Sequence, residues 1–191
     1  IRRPPRSTPS NSSAASDVYK RQEIFMVEDK KLLILVNNAL PQPPERLAYA
    51  LDFASWFRKV GGKRAILAGG LNIKYRVGSE EFRWVSTEGC EWRFNEPQID
   101  KGLYIVGPLA LFFIALKLKK VPTLAILPYT EPSKYNPKAA AVFIEKINEI
   151  LGLNIDVGDL LQYSKIVEEA EAALKEAMKV AKEERGPRPY M

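Results

Sequence analysis

Residues 103–116 read LYIVGPLALFFIAL, and how those residues are divided decides the fold. Taken whole, the run is too short to span a bilayer as a helix, which needs about 20 apolar residues. It is also broken by Gly107-Pro108. Divided at that pair, it becomes a strand over 103–106, a sharp turn at Gly107, and a buried helix from Pro108 to Leu118. Proline suits the first helical position because the amide it lacks would have no partner there. A strand running straight into an apolar helix is the repeating unit of an α/β fold.

The sequence on either side keeps that alternation. Upstream, Leu32-Leu33-Ile34-Leu35-Val36 is a continuous apolar run, the pattern of a strand buried on both faces. Residues 45–59 place Leu47, Ala50, Leu51, Ala54 and Phe57 at helical spacing, and Gly61-Gly62 stops that helix. Residues 64–68 read as a second buried strand that turns at Gly69-Gly70. One β-α-β crossover with parallel strands is the economical account. Between 71 and 101 the pattern changes. Ile73, Tyr75 and Val77, then Phe82, Trp84 and Val85, alternate around Gly78-Ser79, which predicts a half-exposed hairpin. Glu88 to Lys101 reads as a long polar surface loop carrying Trp92 and Phe94.

Downstream, Pro122 to Leu127 supplies another strand. Asn136 caps a helix with Pro137 in its first turn, and Gly152 ends it after Leu151. Asp156 caps the last helix, with Asp159 adding favourable charge in its first turn. Along that helix Leu160, Tyr163, Val167, Ala170, Leu174, Ala177 and Ala181 repeat in steps of three and four. So narrow a stripe suits packing on another helix, of a neighbouring subunit or of its own domain. The predicted architecture is a three-layer α/β domain. It has a mostly parallel sheet with helices on both faces, a hairpin insertion and a long C-terminal helix. The expected divisions are a low-complexity segment 1–22, an α/β domain 23–156, a helix 157–185 and a tail 186–191.

The first segment, IRRPPRSTPSNSSAASDVYKRQ, has no apolar periodicity and no signal-peptide core; its Arg- and Ser-rich, acid-poor composition allows a transit peptide, and it also resembles translated sequencing-adapter sequence. It holds five basic residues and one acid, so the chain total of +6 leaves only +2 for residues 23–191. Global basicity therefore gives no argument for a nucleic-acid partner. The single cysteine, Cys90, excludes an internal disulfide framework and fits a reducing, cytoplasmic setting.

Much chemistry is excluded outright. The chain has no histidine, which removes Ser-His-Asp and Cys-His arrangements. One cysteine with carboxylates is a poor zinc site, and Glu88 and Glu91 beside Cys90 disfavour a thiolate. No G-x-G-x-x-G or Walker motif is present. Gly107-Pro108 stands at a helix N-terminus where an anion can bind, but proline removes a donor. The pairs Glu80-Glu81 and Glu168-Glu169 read as solvated. No catalytic, cofactor or metal residues are assigned.

One stretch is more particular than fold class. Residues 128–172 hold Tyr135, Asn136-Pro137-Lys138-Ala139-Ala140, Leu151-Gly152-Leu153, Ile155 and Asp156. In that order they resemble the C-terminal half of the archaeal proteasome assembly chaperone family. AILAGG (65–70) and LYIVGPLALFF (103–113) fit the same pattern upstream. The resemblance implies further strands ahead of the segment that starts here, and an open sheet edge where they are missing. It also implies a non-catalytic, homo-oligomeric factor, assembled through the C-terminal helix, that docks on the proteasome core-particle α-ring. Such factors dock through C-terminal tails ending hydrophobic–Tyr–any residue, a pattern matched by Pro189-Tyr190-Met191. Capture of a terminal carboxylate is a recurring recognition mode, and the flanking prolines lower the ordering cost. An alternative implication is an ATP-grasp-like carboxylate–amine ligase, for which no convincing lysine and magnesium-ligand set stands out. A small-molecule-binding module rests on fold analogy alone.

Overall fold

The structure is a computed structural model and describes residues 22–132 and 135–184. Its strands are β1 (Gln22–Val27), β2 (Leu32–Asn37), β3 (Ala65–Ala68), β4 (Leu71–Asn72), β5 (Phe82–Ser86) and β6 (Thr123–Thr130). Its helices are α1 (Arg46–Lys59), α2 (Pro108–Leu118), α3 (Pro137–Leu151) and α4 (Gly158–Glu184).

β6 organises the molecule, because all but the last of its eight residues are buried. It pairs in parallel with β3, Ala65 opposite Thr123, and with β4, Leu71 opposite Tyr129. The offset is the same in both, so β3 and β4 are one strand interrupted at Gly69-Gly70. A Cβ on Gly69 would stand 2.6 Å from side-chain carbons of Leu109 and Leu127, so glycine lets α2 approach the sheet there. β5 pairs with the other edge of β6 in the antiparallel sense, Phe82 opposite Pro128. The sheet is mixed, with β6 in the centre, and among the described residues no strand pairs with the outer edge of β3.

Alternation along β6 divides the core in two. Leu124 and Ile126 face α3, packing with Phe82, Trp84, Phe94, Val142 and Ile147. On the opposite face Ala65 and Leu67 meet α1 and α2 through Ala50, Ala54, Phe112, Ala115 and Leu116. The order α1/α2, sheet, α3 gives the expected three layers. Local signals set the helix ends. Asn136 Oδ1 accepts from Ala139 N at 3.0 Å, and Gly152 ends α3 at φ 61°. Asp156 Oδ1 accepts from Gly158 N at 2.8 Å where α4 begins. Gly107, at φ 77° and ψ −159°, occupies a region essentially reserved for glycine, and Pro108 follows at the first position of α2.

Several pairings differ from expectation. β2 does not form a crossover with β3. It pairs antiparallel with β1, Val27 opposite Leu32, and this ribbon lies on α1 through Leu35 and an Asn37–Tyr49 hydrogen bond of 2.5 Å. Its outer face leaves Ile34 and Val36 exposed, so β2 is not covered on both sides. Residues 103–106 form no strand and pair with none among the described residues. The half-exposed hairpin is replaced by a 3-10 turn at Ile73–Tyr75 and by a buried β5 whose partner is β6. The loop 88–101 turns inward. Phe94 packs edge-on against Phe82 and Trp84, Cys90 is buried beside them, and Trp84 Nε1 donates to Glu96 O at 2.7 Å.

Candidate docking site

Pro189, Tyr190 and Met191 lie outside the described residues, so the site is approached through the helix that leads to them. α4 has 27 residues and is about 40 Å long. Val157, Leu160, Ser164, Val167 and Glu171 form its half-buried to buried stripe, in a helix whose neighbour is α3. Beyond Glu171 every residue whose side chain is described is exposed. Over residues 172–179, roughly 12 Å of helix therefore stands clear of the α/β core.

The structure splits the apolar stripe read from the sequence into two. Leu160 and Val167 belong to the packed face, whereas Tyr163, Ala170, Leu174 and Ala177 are exposed. With Ile166, 54% exposed, they make a second stripe about a quarter-turn around from the first. Leu174 is 57% exposed and Met178 63%. Tyr163 also meets Tyr135 edge-on, ring centroids 6.0 Å apart, which ties the loop before α3 to the root of α4.

A second concavity lies at the carboxyl ends of the parallel strands, where open α/β sheets favour ligands. It measures about 280 Å³ and lies between Gly69-Gly70-Leu71, residues 103–106 and the start of α2. Apart from the Tyr104 hydroxyl its lining side chains are apolar. Among the described residues no cation lines it, and no three metal-ligating side chains come together.

Sequence reasoning missed a buried polar network beside it. Arg83, within β5, is 4% exposed. Its guanidinium donates to Tyr129 Oη at 2.7 Å and pairs with Asp100 at 2.5 Å and Glu80 at 3.3 Å. Asp100 above all, then Tyr129 and Glu80, hold its proton more firmly than usual against the opposing effect of burial. Bonds from its own amide and, despite desolvation, from Val77 N–H, Arg83 and Tyr129 lower the Glu80 carboxyl to about 2. Burial pushes the Tyr129 hydroxyl up. Glu80 is thus a half-buried, paired acid and not a solvated one. The signal was an arginine inside the aromatic strand FRW, but its partners lie far along the chain. With all its members paired to one another, the network clamps the loop ending at Asp100 onto β5.

No curated protein sequence matches the chain. Among solved structures, PbaA from Pyrococcus furiosus, described as an archaeal homologue of proteasome-assembly chaperone, superposes with a TM-score of 0.70 at 19% identity. The match covers 93% of this chain and 75% of that one. PbaB from the same organism, described as an archaeal proteasome activator, gives 0.63 at 22% identity over 81% of this chain and 70% of its own. A proteasome-assembly chaperone homologue from Mycobacterium tuberculosis gives 0.60 at 11%, over 80% and 66%. At these identities the likeness shows a shared fold, and a sequence-level match decides the family. The PAC2 family profile aligns with residues 4–175, nine-tenths of the chain, and the chain belongs to the PAC2 family.

Proposed function

We propose that this protein is a non-catalytic proteasome-binding factor, an assembly chaperone or an activator. It docks on the α-ring of the core particle through Pro189-Tyr190-Met191 and acts in the cytoplasm as a homo-oligomer assembled through α4. The observation that supports this reading is the exposed far part of α4, which leads toward the tail in a chain folded like PbaA and PbaB. Tyr190 brings a large apolar ring with a hydroxyl. Several such tails on one oligomer raise the effective concentration of each for its neighbour's pocket.

The test is binding of the chain to an archaeal proteasome core particle, beside a version lacking the last three residues. Binding that disappears with those residues supports docking by the tail. Equal binding by both versions moves the contact onto the folded domain. No binding by a folded, intact protein removes the reading.

A further inference from the structure

We infer that the edge of the sheet opposite the strand-end cavity is a second docking surface, built for an acidic protein face; this goes beyond the tail-docking reading and does not depend on it. The parallel pairing of β3 with β6 brings the exits of α1 and α2 to one edge. Arg58 Nη1 donates to Lys119 O at 2.8 Å, and Ala65 N donates to Pro122 O at 2.9 Å, so the two connecting turns lie side by side. The first turn carries Arg58, Lys59, Lys63 and Arg64, and the second carries Lys117, Lys119 and Lys120. Two acids flank them, Glu88 and Glu91, and Glu91 is taken by Arg64 at 3.5 Å. The five lysines have no carboxylate partner among the described residues. A chain with a net charge of only +2 beyond residue 22 therefore concentrates uncompensated positive charge at one edge.

Helix dipoles explain part of this, because cations favour helix C-termini. They do not explain Lys120. It adopts φ 56°, and Val121 N bonds back to Leu116 O while Lys120 N bonds to Lys117 O. In that helix-ending turn the left-handed position belongs to glycine. Lys120 thus puts a cation on the second turn at a backbone position that L-residues rarely adopt.

Both arginine forks are engaged, Arg58 with a carbonyl and Arg64 with Glu91 and the Trp92 ring, so the available charges are lysine ammoniums, which lack planar bidentate geometry. Val60 and Leu118, 51% and 66% exposed, end the two helices amid these cations and supply aliphatic contact. Within α1, Phe53 stacks on Phe57 and packs against Trp56, which stays 38% exposed. Lysines around two aliphatic side chains match an acidic protein segment with apolar residues between its carboxylates.

The experiment uses the full chain and a fluorescein-labelled 16-residue peptide of alternating glutamate and leucine. The comparison probes are the glutamine–leucine peptide, a short DNA duplex and phosphatidylserine vesicles. The glutamate peptide is expected to bind, and to bind about tenfold more weakly to the Lys59→Glu, Lys63→Glu, Lys120→Glu variant. A variant with Arg2, Arg3 and Arg6 changed to Gln controls for the basic first segment and is expected to bind as the parent does. Lys120→Gly separates the surface from the fold, because it relaxes the turn. It should keep or raise the melting temperature while weakening the peptide. Unchanged binding in the triple variant, or loss in the Arg variant alone, overturns the proposal. So does lysine-dependent binding of DNA or vesicles with no binding of the glutamate peptide.

Discussion

Arg83 shows what a single buried charge does in this fold. Removing it leaves Glu80, Asp100 and the Tyr129 hydroxyl facing one another without their common donor. Breaking a buried pair in this way costs about 3–5 kcal/mol. Arg83→Ala should sit near the lower figure, because Asp100 is half solvated and can find water. Urea denaturation checks this, and a loss under about 1 kcal/mol would mean that the network relaxes around the gap. Glu80 gives the same cluster a pH signature. Its carboxyl lies near 2 in the folded chain against an ordinary 4.5, so the folded state prefers it ionised. That contribution is complete above about pH 4.5 and is lost as pH falls from there toward 2. Glu80→Gln should be less stable than the parent at pH 7 and should lose less on acidification across that window. Parallel melting curves at pH 7 and pH 3 would show it, and equal slopes would assign the acid sensitivity to other carboxylates.

Elements are positioned by signals of two ranges, and the difference decides what the sequence could reveal. Helix ends are short-range: Asn136, Gly152, Asp156 and the Gly107-Pro108 pair act within a turn of where they stand, and each is found where its residue type predicts. Asn136→Ala should cost about 1 kcal/mol, read from the shift in urea midpoint, through the orphaned Ala139 amide. No change would mean that water or Pro137 already satisfies the turn. Strand partners are long-range. The run at 32–36 carries the same apolar pattern whether it enters a central sheet or pairs with β1, so its composition could not name its partner. The stretch 103–106 has strand character and no partner among the described residues. Loop 88–101 looked solvated because its polar residues outnumber Phe94, Trp92 and Cys90, yet those three supply core contacts. The candidate sites differ in the same way. The tail is legible as three adjacent residues, whereas the lysine edge joins positions about 60 apart that only the β3–β6 pairing makes neighbours.

At the scale of the molecule, the exposed stripe on α4 and the tail beyond it make separable demands. The stripe over Tyr163, Ile166, Ala170, Leu174 and Ala177 has helical spacing suited to a second α4, and none of these residues is needed by the core. Ala170→Glu with Leu174→Glu should therefore leave the melting temperature of the domain nearly unchanged, since exposed substitutions away from special features usually stay within about 0.5 kcal/mol. If α4 assembles the oligomer, sedimentation should show the mass falling to that of one chain. Binding to a core particle then gives the decisive comparison. Loss of multivalency alone weakens attachment by about 10²–10⁴-fold, although every tail keeps its sequence. Deleting Pro189-Tyr190-Met191 should instead abolish binding while leaving the oligomer intact. A monomeric double variant that binds as tightly as the parent would show that a single tail suffices and that the stripe serves another contact. A double variant that stays oligomeric would move the subunit interface off α4, and the exposed face of the β1–β2 ribbon would be the next surface to alter.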